Sequence, residues 1–210
     1  MQKKLLLLIF PLFLIQQDRI HSIEESWLKL GRELNTGPFR LHNGKIYCGE
    51  TDCGAEPMKD VDFQTFEYLS GTDFARDKEK IYYPVEKSCI TYTDCCVCTC
   101  VQYVLKGFKP QTFRYLGKEY ATDGRNVIFR GDTLKGLNGA KARVIEGPKN
   151  FFAITDGNRI FLWDKPFPGA DPQTFRFVSM DAKNQYLLAD KSKRWLMAPP
   201  NMPQEIKQHR

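Results

Sequence analysis

Histidine is scarce in this chain, with only His21, His42 and His209 among 210 residues. There is no H-E-x-x-H helix, no G-x-S-x-G elbow, no phosphate-binding loop and no glycine-rich dinucleotide fingerprint. His21 lies beside an apolar leader, His209 in a polar tail and His42 at a turn position, so no pair is placed for acid–base work. The sequence therefore assigns no catalytic residue and no cofactor. Blocks of five or six like charges are also missing, and the net charge of +6 is scattered, which excludes a nucleic-acid footprint. No apolar run is long enough for a stable membrane span. Leu5–Ile15 would reach only roughly 16 Å as a helix, about half of a bilayer's hydrocarbon core. Behind Met1-Gln2-Lys3-Lys4 it reads as a signal peptide over residues 1–22, and no cysteine follows it closely enough for lipid attachment. The expected product is exported to the periplasm or cell envelope, or secreted.

Long helical stripes are absent after Ser22. One short helix is predicted within residues 23–37, where Ser22-Ile-Glu-Glu25 fits a capping box ahead of Trp27, Leu28 and Leu30. What the chain does have is a repeat. Asp77-Lys-Glu-Lys-Ile-Tyr-Tyr83 aligns with Asp123-Gly-Arg-Asn-Val-Ile-Phe129, Asp156-Gly-Asn-Arg-Ile-Phe-Leu162 and Asp190-Lys-Ser-Lys-Arg-Trp-Leu196. His42-Asn-Gly-Lys-Ile-Tyr-Cys48 is an earlier, degenerate copy, and the starts are 35, 46, 33 and 34 residues apart. In each copy an Asp or its substitute opens a tight turn, and β-branched and aromatic residues come next, with a short apolar segment upstream: a β-hairpin. A second element, Gln-Thr-Phe followed by alternating charged and apolar residues, recurs at Phe66, Phe113 and Phe175, and Ala142-Arg-Val-Ile145 is a worn copy. The prediction is a mainly β single domain over residues 38–197, built from about five hairpin repeats of roughly three short strands each. Residues 198–210, rich in proline and polar side chains, are predicted to be a flexible tail.

These residues resemble the bacterial DKNYY family. Phe74-Ala-Arg-Asp-Lys-Glu-Lys-Ile-Tyr-Tyr83 is the closest copy of its repeat, and Tyr120-Ala-Thr-Asp123 and Gly169-Ala-Asp-Pro-Gln-Thr-Phe175 carry its other signatures. The resemblance implies an often exported protein without an assigned catalytic residue. The first copy departs from it, with His42 at the aspartate position.

Within each hairpin's second strand the outer positions share one face: Ile46/Cys48, Ile81/Tyr83, Val127/Phe129, Ile160/Leu162 and Arg194/Leu196. The middle column, Tyr47, Tyr82, Ile128, Phe161 and Trp195, faces the other way and is apolar too. Either this second face is covered by neighbouring strands, or its aromatics Tyr47, Tyr82, Phe161 and Trp195 form a surface for a glycan or protein partner. The recurrent Asp77, Asp123, Asp156 and Asp190 are followed by lysine, arginine or glycine rather than further carboxylates. They read as turn formers, and no metal site is assigned to them.

All seven cysteines fall in two expanded connections. Cys48 and Cys53 belong to the first, and Cys89, Cys95, Cys96, Cys98 and Cys100 to an insertion spanning residues 85–104. In an exported chain this segregation reads first as disulfides pinning loops, with cross-links between the two insertions geometrically reasonable. Thiolate metal binding and redox exchange remain alternatives, and the odd count points to an intermolecular disulfide. The functional expectation is an exported, non-catalytic binding or interaction protein of the bacterial envelope. The alternatives are a thiol–disulfide or metal-handling factor centred on the cysteine insertion, and a periplasmic inhibitor or immunity protein.

Overall fold

The computed structural model describes residues 26–30, 37–49, 55–92 and 95–206. The predicted leader, the capping box at Ser22–Glu25 and Cys53 lie outside these residues. The described chain is all β. After β1 (Trp27–Lys29), a two-stranded hairpin pairs β2 (Phe39–His42) with β3 (Lys45–Cys48). The first sheet comes next, with β4 (Glu67–Leu69), β5 (Ala75–Arg76), β6 (Ile81–Tyr92) and β7 (Cys95–Val104). The second sheet contains β8 (Arg114–Gly117), β9 (Tyr120–Thr122), β10 (Val127–Phe129) and β11 (Asp132–Thr133). The third contains β12 (Arg143–Val144), β13 (Ala153–Thr155), β14 (Ile160–Leu162) and β15 (Lys165–Pro166). The fourth contains β16 (Arg176–Met180), β17 (Tyr186–Ala189), β18 (Arg194–Met197) and β19 (Gln204–Glu205). Each is an antiparallel meander, so the repeat is one small sheet.

The predicted three strands per repeat become four. After the third strand the chain turns back, and the middle-column residues pair with the return strand: Tyr82 with Val104, Ile128 with Thr133, Phe161 with Pro166 and Trp195 with Glu205. One further bond recurs in all four sheets. The N–H of Leu105, Leu134, Phe167 and Ile206 donates to the carbonyl of Ile81, Val127, Ile160 and Arg194 respectively.

Burial explains why both columns are apolar. Successive sheets stack face to face, and each buried cluster joins neighbours in chain order. Phe39, Ile46 and Cys48 of the hairpin pack with Phe66, Ala75 and Tyr82 of the first sheet. Ile81, Tyr83 and Leu105 meet Ala121 and Ile128 of the second sheet. Val127, Phe129 and Leu134 then meet Ile154 and Phe161 of the third, and Ile160, Leu162 and Phe167 meet Leu188, Trp195 and Met197 of the fourth. Middle columns thus face the preceding sheet and outer columns the next one. In the second and third sheets every residue of β9, β10, β13 and β14 is buried. Among the described residues no cluster joins the fourth sheet to the first hairpin, so the stack is open.

Two segments depart from the sequence reading. Trp27–Lys29 is a strand, not part of a helix. It pairs antiparallel with β4, Trp27 opposite Leu69, and the Trp27 ring lies under the Arg76 guanidinium and edge-on to Phe113. A tertiary edge and two ring contacts override the local helical pattern. Residues 198–206 of the predicted flexible tail are not free either. They fold back so that Leu196 pairs with Gln204, Met202 packs against the last cluster and Lys193 bonds Glu205 at 2.8 Å. Ending the chain at Ala198 is expected to cost about 1–2 kcal/mol, chiefly Met202 burial, since the exposed ion pair adds little. Urea denaturation of the truncated protein checks this; an unchanged midpoint would show the tail to be idle.

Candidate functional site

The recurrent aspartates use their two carboxylate oxygens for different jobs. One oxygen closes the hairpin turn: Asp77 accepts the N–H of Glu79 and Lys80 at 2.8 and 2.7 Å. Asp156 does the same for Asn158 and Arg159, and Asp190 for Ser192 and Lys193. Gly157 supplies the positive φ of +85° that the turn needs after Asp156. The other oxygen reaches upstream to a loop of the same repeat. Asp77 accepts the N–H of Asp62 at 3.1 Å, Asp156 that of Asn138 at 2.9 Å, and Asp190 that of Asp171 at 2.8 Å. In the first and fourth sheets that loop is the turn of the Gln-Thr-Phe element. Its own Asp62 accepts the Gln64 N–H, and Asp171 that of Gln173.

The lysine after the aspartate completes the lock. The N–H of Lys78 and of Lys191 donates to the hydroxyl of Thr65 and of Thr174, both at 3.1 Å. Their ammonium groups pair with Asp62 and Asp171. The Tyr82 hydroxyl, at the first Tyr of Asp77-Lys-Glu-Lys-Ile-Tyr-Tyr83, donates to Asp77 at 2.6 Å in the core. The whole signature is thus a clasp between two turns. In the second repeat Lys109 stands where Asp62 and Asp171 stand in theirs, and Asp123 bonds only within its own turn, to Arg125 and Asn126. Burial pushes the Asp77 carboxyl up, but the Tyr82 hydroxyl and the N–H groups of Asp62, Glu79 and Lys80 outweigh it and hold the group below its ordinary value. Asp156 and Asp190 behave alike, with backbone donors overcoming burial. This is the chemistry of satisfied structural carboxylates.

The aromatic column is not an open binding surface. Tyr82, Phe161 and Trp195 are 0, 5 and 2% exposed, because each faces the preceding sheet of the stack. Trp195, for example, sits edge-on to Phe167 at 5.5 Å. Tyr47, in the first hairpin, has no preceding sheet among the described residues and is half-buried.

The cysteine insertion is an elongation of the first sheet's last two strands. Partner positions on either side of this turn are 22 residues apart in β6–β7 and five apart in β10–β11 and β14–β15. The result is a two-stranded arm in which Cys89 stands opposite Cys98 and Tyr92 opposite Cys95. Cys100, near its base, is joined by a disulfide to Cys48 of the first hairpin, with Cα atoms 5.4 Å apart. The two insertions are therefore cross-linked to each other.

Among the described residues no further sheet lies beyond the fourth. Leu196 and Ile206 occupy the places that Tyr83 and Leu105, Phe129 and Leu134, and Leu162 and Phe167 fill at the buried interfaces, yet they are 39 and 40% exposed. Leu187, opposite Leu196 in register, lies on the same face, as does Val178 at a bulge in β16. Arg176, Ala189 and Arg194 sit in line across three adjacent strands of that face. Sequence reasoning takes Arg194 and Leu196 as the last pair of a core-facing column, which the exposure of Leu196 corrects, and passes over the others. The signal present is Arg194, the one charged member of an otherwise apolar column, which marks where the stack ends. No described helix is long and apolar enough to cross a membrane.

Small meander sheets stacked in chain order and clasped by buried aspartates define an all-β repeat protein. The chain belongs to the DKNYY family, which it matches over residues 39–198. No curated protein matches it, and no solved structure does.

Proposed function

We propose that the chain is an exported, non-catalytic interaction protein of the bacterial envelope that holds a protein partner on the outer face of its fourth sheet. The observation that carries this reading is that face itself. It presents the apolar positions used at every internal sheet–sheet contact, and among the described residues no sheet covers them. Contiguous apolar area of this kind on a folded surface marks an interaction site. The motif aspartates, by contrast, are consumed by the clasps, and the buried aromatics by the stack.

Site-specific photo-crosslinking in intact envelopes tests the reading. A benzophenone side chain at position 196 is expected to give one discrete adduct, which Leu187→Glu abolishes, while the same group at exposed position 141 gives none. Equal adducts from both positions, or none from 196, would count against it. Export is checked by fusing the first 30 residues to alkaline phosphatase, which is active only outside the cytoplasm.

The arm supports a second reading, an envelope thiol–disulfide factor, because Cys89 and Cys98 stand opposite each other near the Cys48–Cys100 disulfide. An insulin-reduction assay distinguishes it: turnover that is lost in Cys89→Ser favours the arm as a redox centre, and no turnover favours a structural role.

A further inference from the structure

The outer face of the fourth sheet carries charge as well as apolar area. Arg176, Ala189 and Arg194 are register partners on β16, β17 and β18, so with strands about 4.8 Å apart the two arginine Cα atoms are about 10 Å apart. Ala189 between them is small, and a cleft of about 380 Å³ opens there, lined by Arg176, Val178, Ala189, Ser192 and Arg194 among others. Among the described residues the other cations lining this cleft are neutralised, Lys191 by Asp171 and Lys193 by Glu205. Asp190 is taken up by backbone N–H groups. Among the described residues neither Arg176 nor Arg194 has a side-chain hydrogen bond or ion pair, so both guanidinium forks are available for carboxylates.

We infer that this face selects an extended acidic segment of a partner protein, seating a carboxylate between Arg176 and Arg194 and the apolar side chain two residues along on Leu196 and Ile206. The inference rests on the reading of the face as the binding surface and adds the chemistry of its occupant. The two surplus cations of the described cleft, in a chain without a block of like charges, do not make a nucleic-acid track. A lone anion would leave Leu196 and Ile206 uncovered. A second copy is disfavoured by charge, since apposing two such faces sets arginine against arginine. An extended chain places successive side chains about 3.3 Å apart and alternate ones on one side, a spacing that can address both the arginines and the apolar row.

Calorimetric titration of the full, disulfide-intact protein tests this with the synthetic octapeptide Glu-Ser-Val-Ser-Glu-Ser-Val-Ser, whose glutamates and valines share one side when extended, and with its counterpart carrying glutamine for glutamate. The glutamate peptide is expected to bind at least about tenfold more tightly, a difference of about 1.4 kcal/mol. Arg176→Gln with Arg194→Gln should close that gap, and Leu196→Ser should weaken both peptides, with thermal midpoints of all variants near wild type. Equal binding of the two peptides overturns the acidic selectivity. If Leu196→Ser still weakens both, the face remains the binding surface; if it weakens neither, both readings fall. Inorganic phosphate or polygalacturonate binding more tightly than the glutamate peptide would also overturn the assignment, in favour of a simple anion or an acidic glycan.

Discussion

Asp77→Ala is expected to lower the unfolding free energy by about 4 kcal/mol, and Asp123→Ala by only about 1 kcal/mol. The two aspartates open equivalent hairpins, and alanine removes the turn-closing acceptor from both. The difference lies in the second oxygen. That of Asp77 accepts the Asp62 N–H and the Tyr82 hydroxyl, and Tyr82 is fully buried, so its phenol is left without an acceptor in a region closed to water. That of Asp123 meets only the Asn126 side chain at an exposed turn. Urea denaturation of both variants measures the contrast. Equal losses would show that the bond to the upstream loop adds nothing.

Replacing Cys48 and Cys100 together by alanine has an effect of similar size. The disulfide closes a loop of 52 residues, for which the restriction of the unfolded chain is worth about 4 kcal/mol. It ties the first hairpin, which has two strands among the described residues, to the first sheet. The loss should therefore appear first at that end of the stack, as faster amide exchange in β2 and β3 than in β13 and β14. Reductant should reproduce the change in wild type. An unaltered midpoint under reduction would mean that the hairpin is held by its packing on Phe66 and Tyr82 alone.

The parts of the fold visible in the sequence are those with local causes. An aspartate at a tight turn ahead of an alternating apolar strand needs only neighbouring residues to declare itself, and the hairpins at Asp77, Asp123, Asp156 and Asp190 arise from it. The repeat's return strand does not, because Asp132–Thr133 and Lys165–Pro166 are two residues long and carry no period. Trp27–Lys29 reads as helix for a related reason: its partner β4 lies some forty residues away, and a capping pattern says nothing about a distant edge. The aromatic columns are legible as apolar on both faces, but only the stack shows what covers the second face. Cysteine positions bound the cross-links to two insertions without choosing the Cys48–Cys100 pair. The exposed face is the least legible feature, since Leu196 and Ile206 differ from their buried counterparts in having no further described sheet against them, not in their own character.

Acid links the clasps to stability. The carboxyls of Asp77, Asp123, Asp156 and Asp190 are all held below the ordinary value of 3.8 in the folded chain. A depressed carboxyl contributes stability that is complete above its unfolded value and is lost as pH falls through the folded one. Unfolding in acid is therefore expected below about pH 4, and Asp77→Asn should make the stability less dependent on pH in that range.

The most direct test of the clasp is a carboxyl-carbon NMR titration of the aspartates in the folded protein. All four should titrate below 3.8, with Asp77, Asp156 and Asp190 remaining ionised until the stack itself unfolds. If any of these three gained its proton at or above 3.8 while the fold stayed intact, its carboxylate would not be holding the two turns together, and the repeat aspartates would be free for another role.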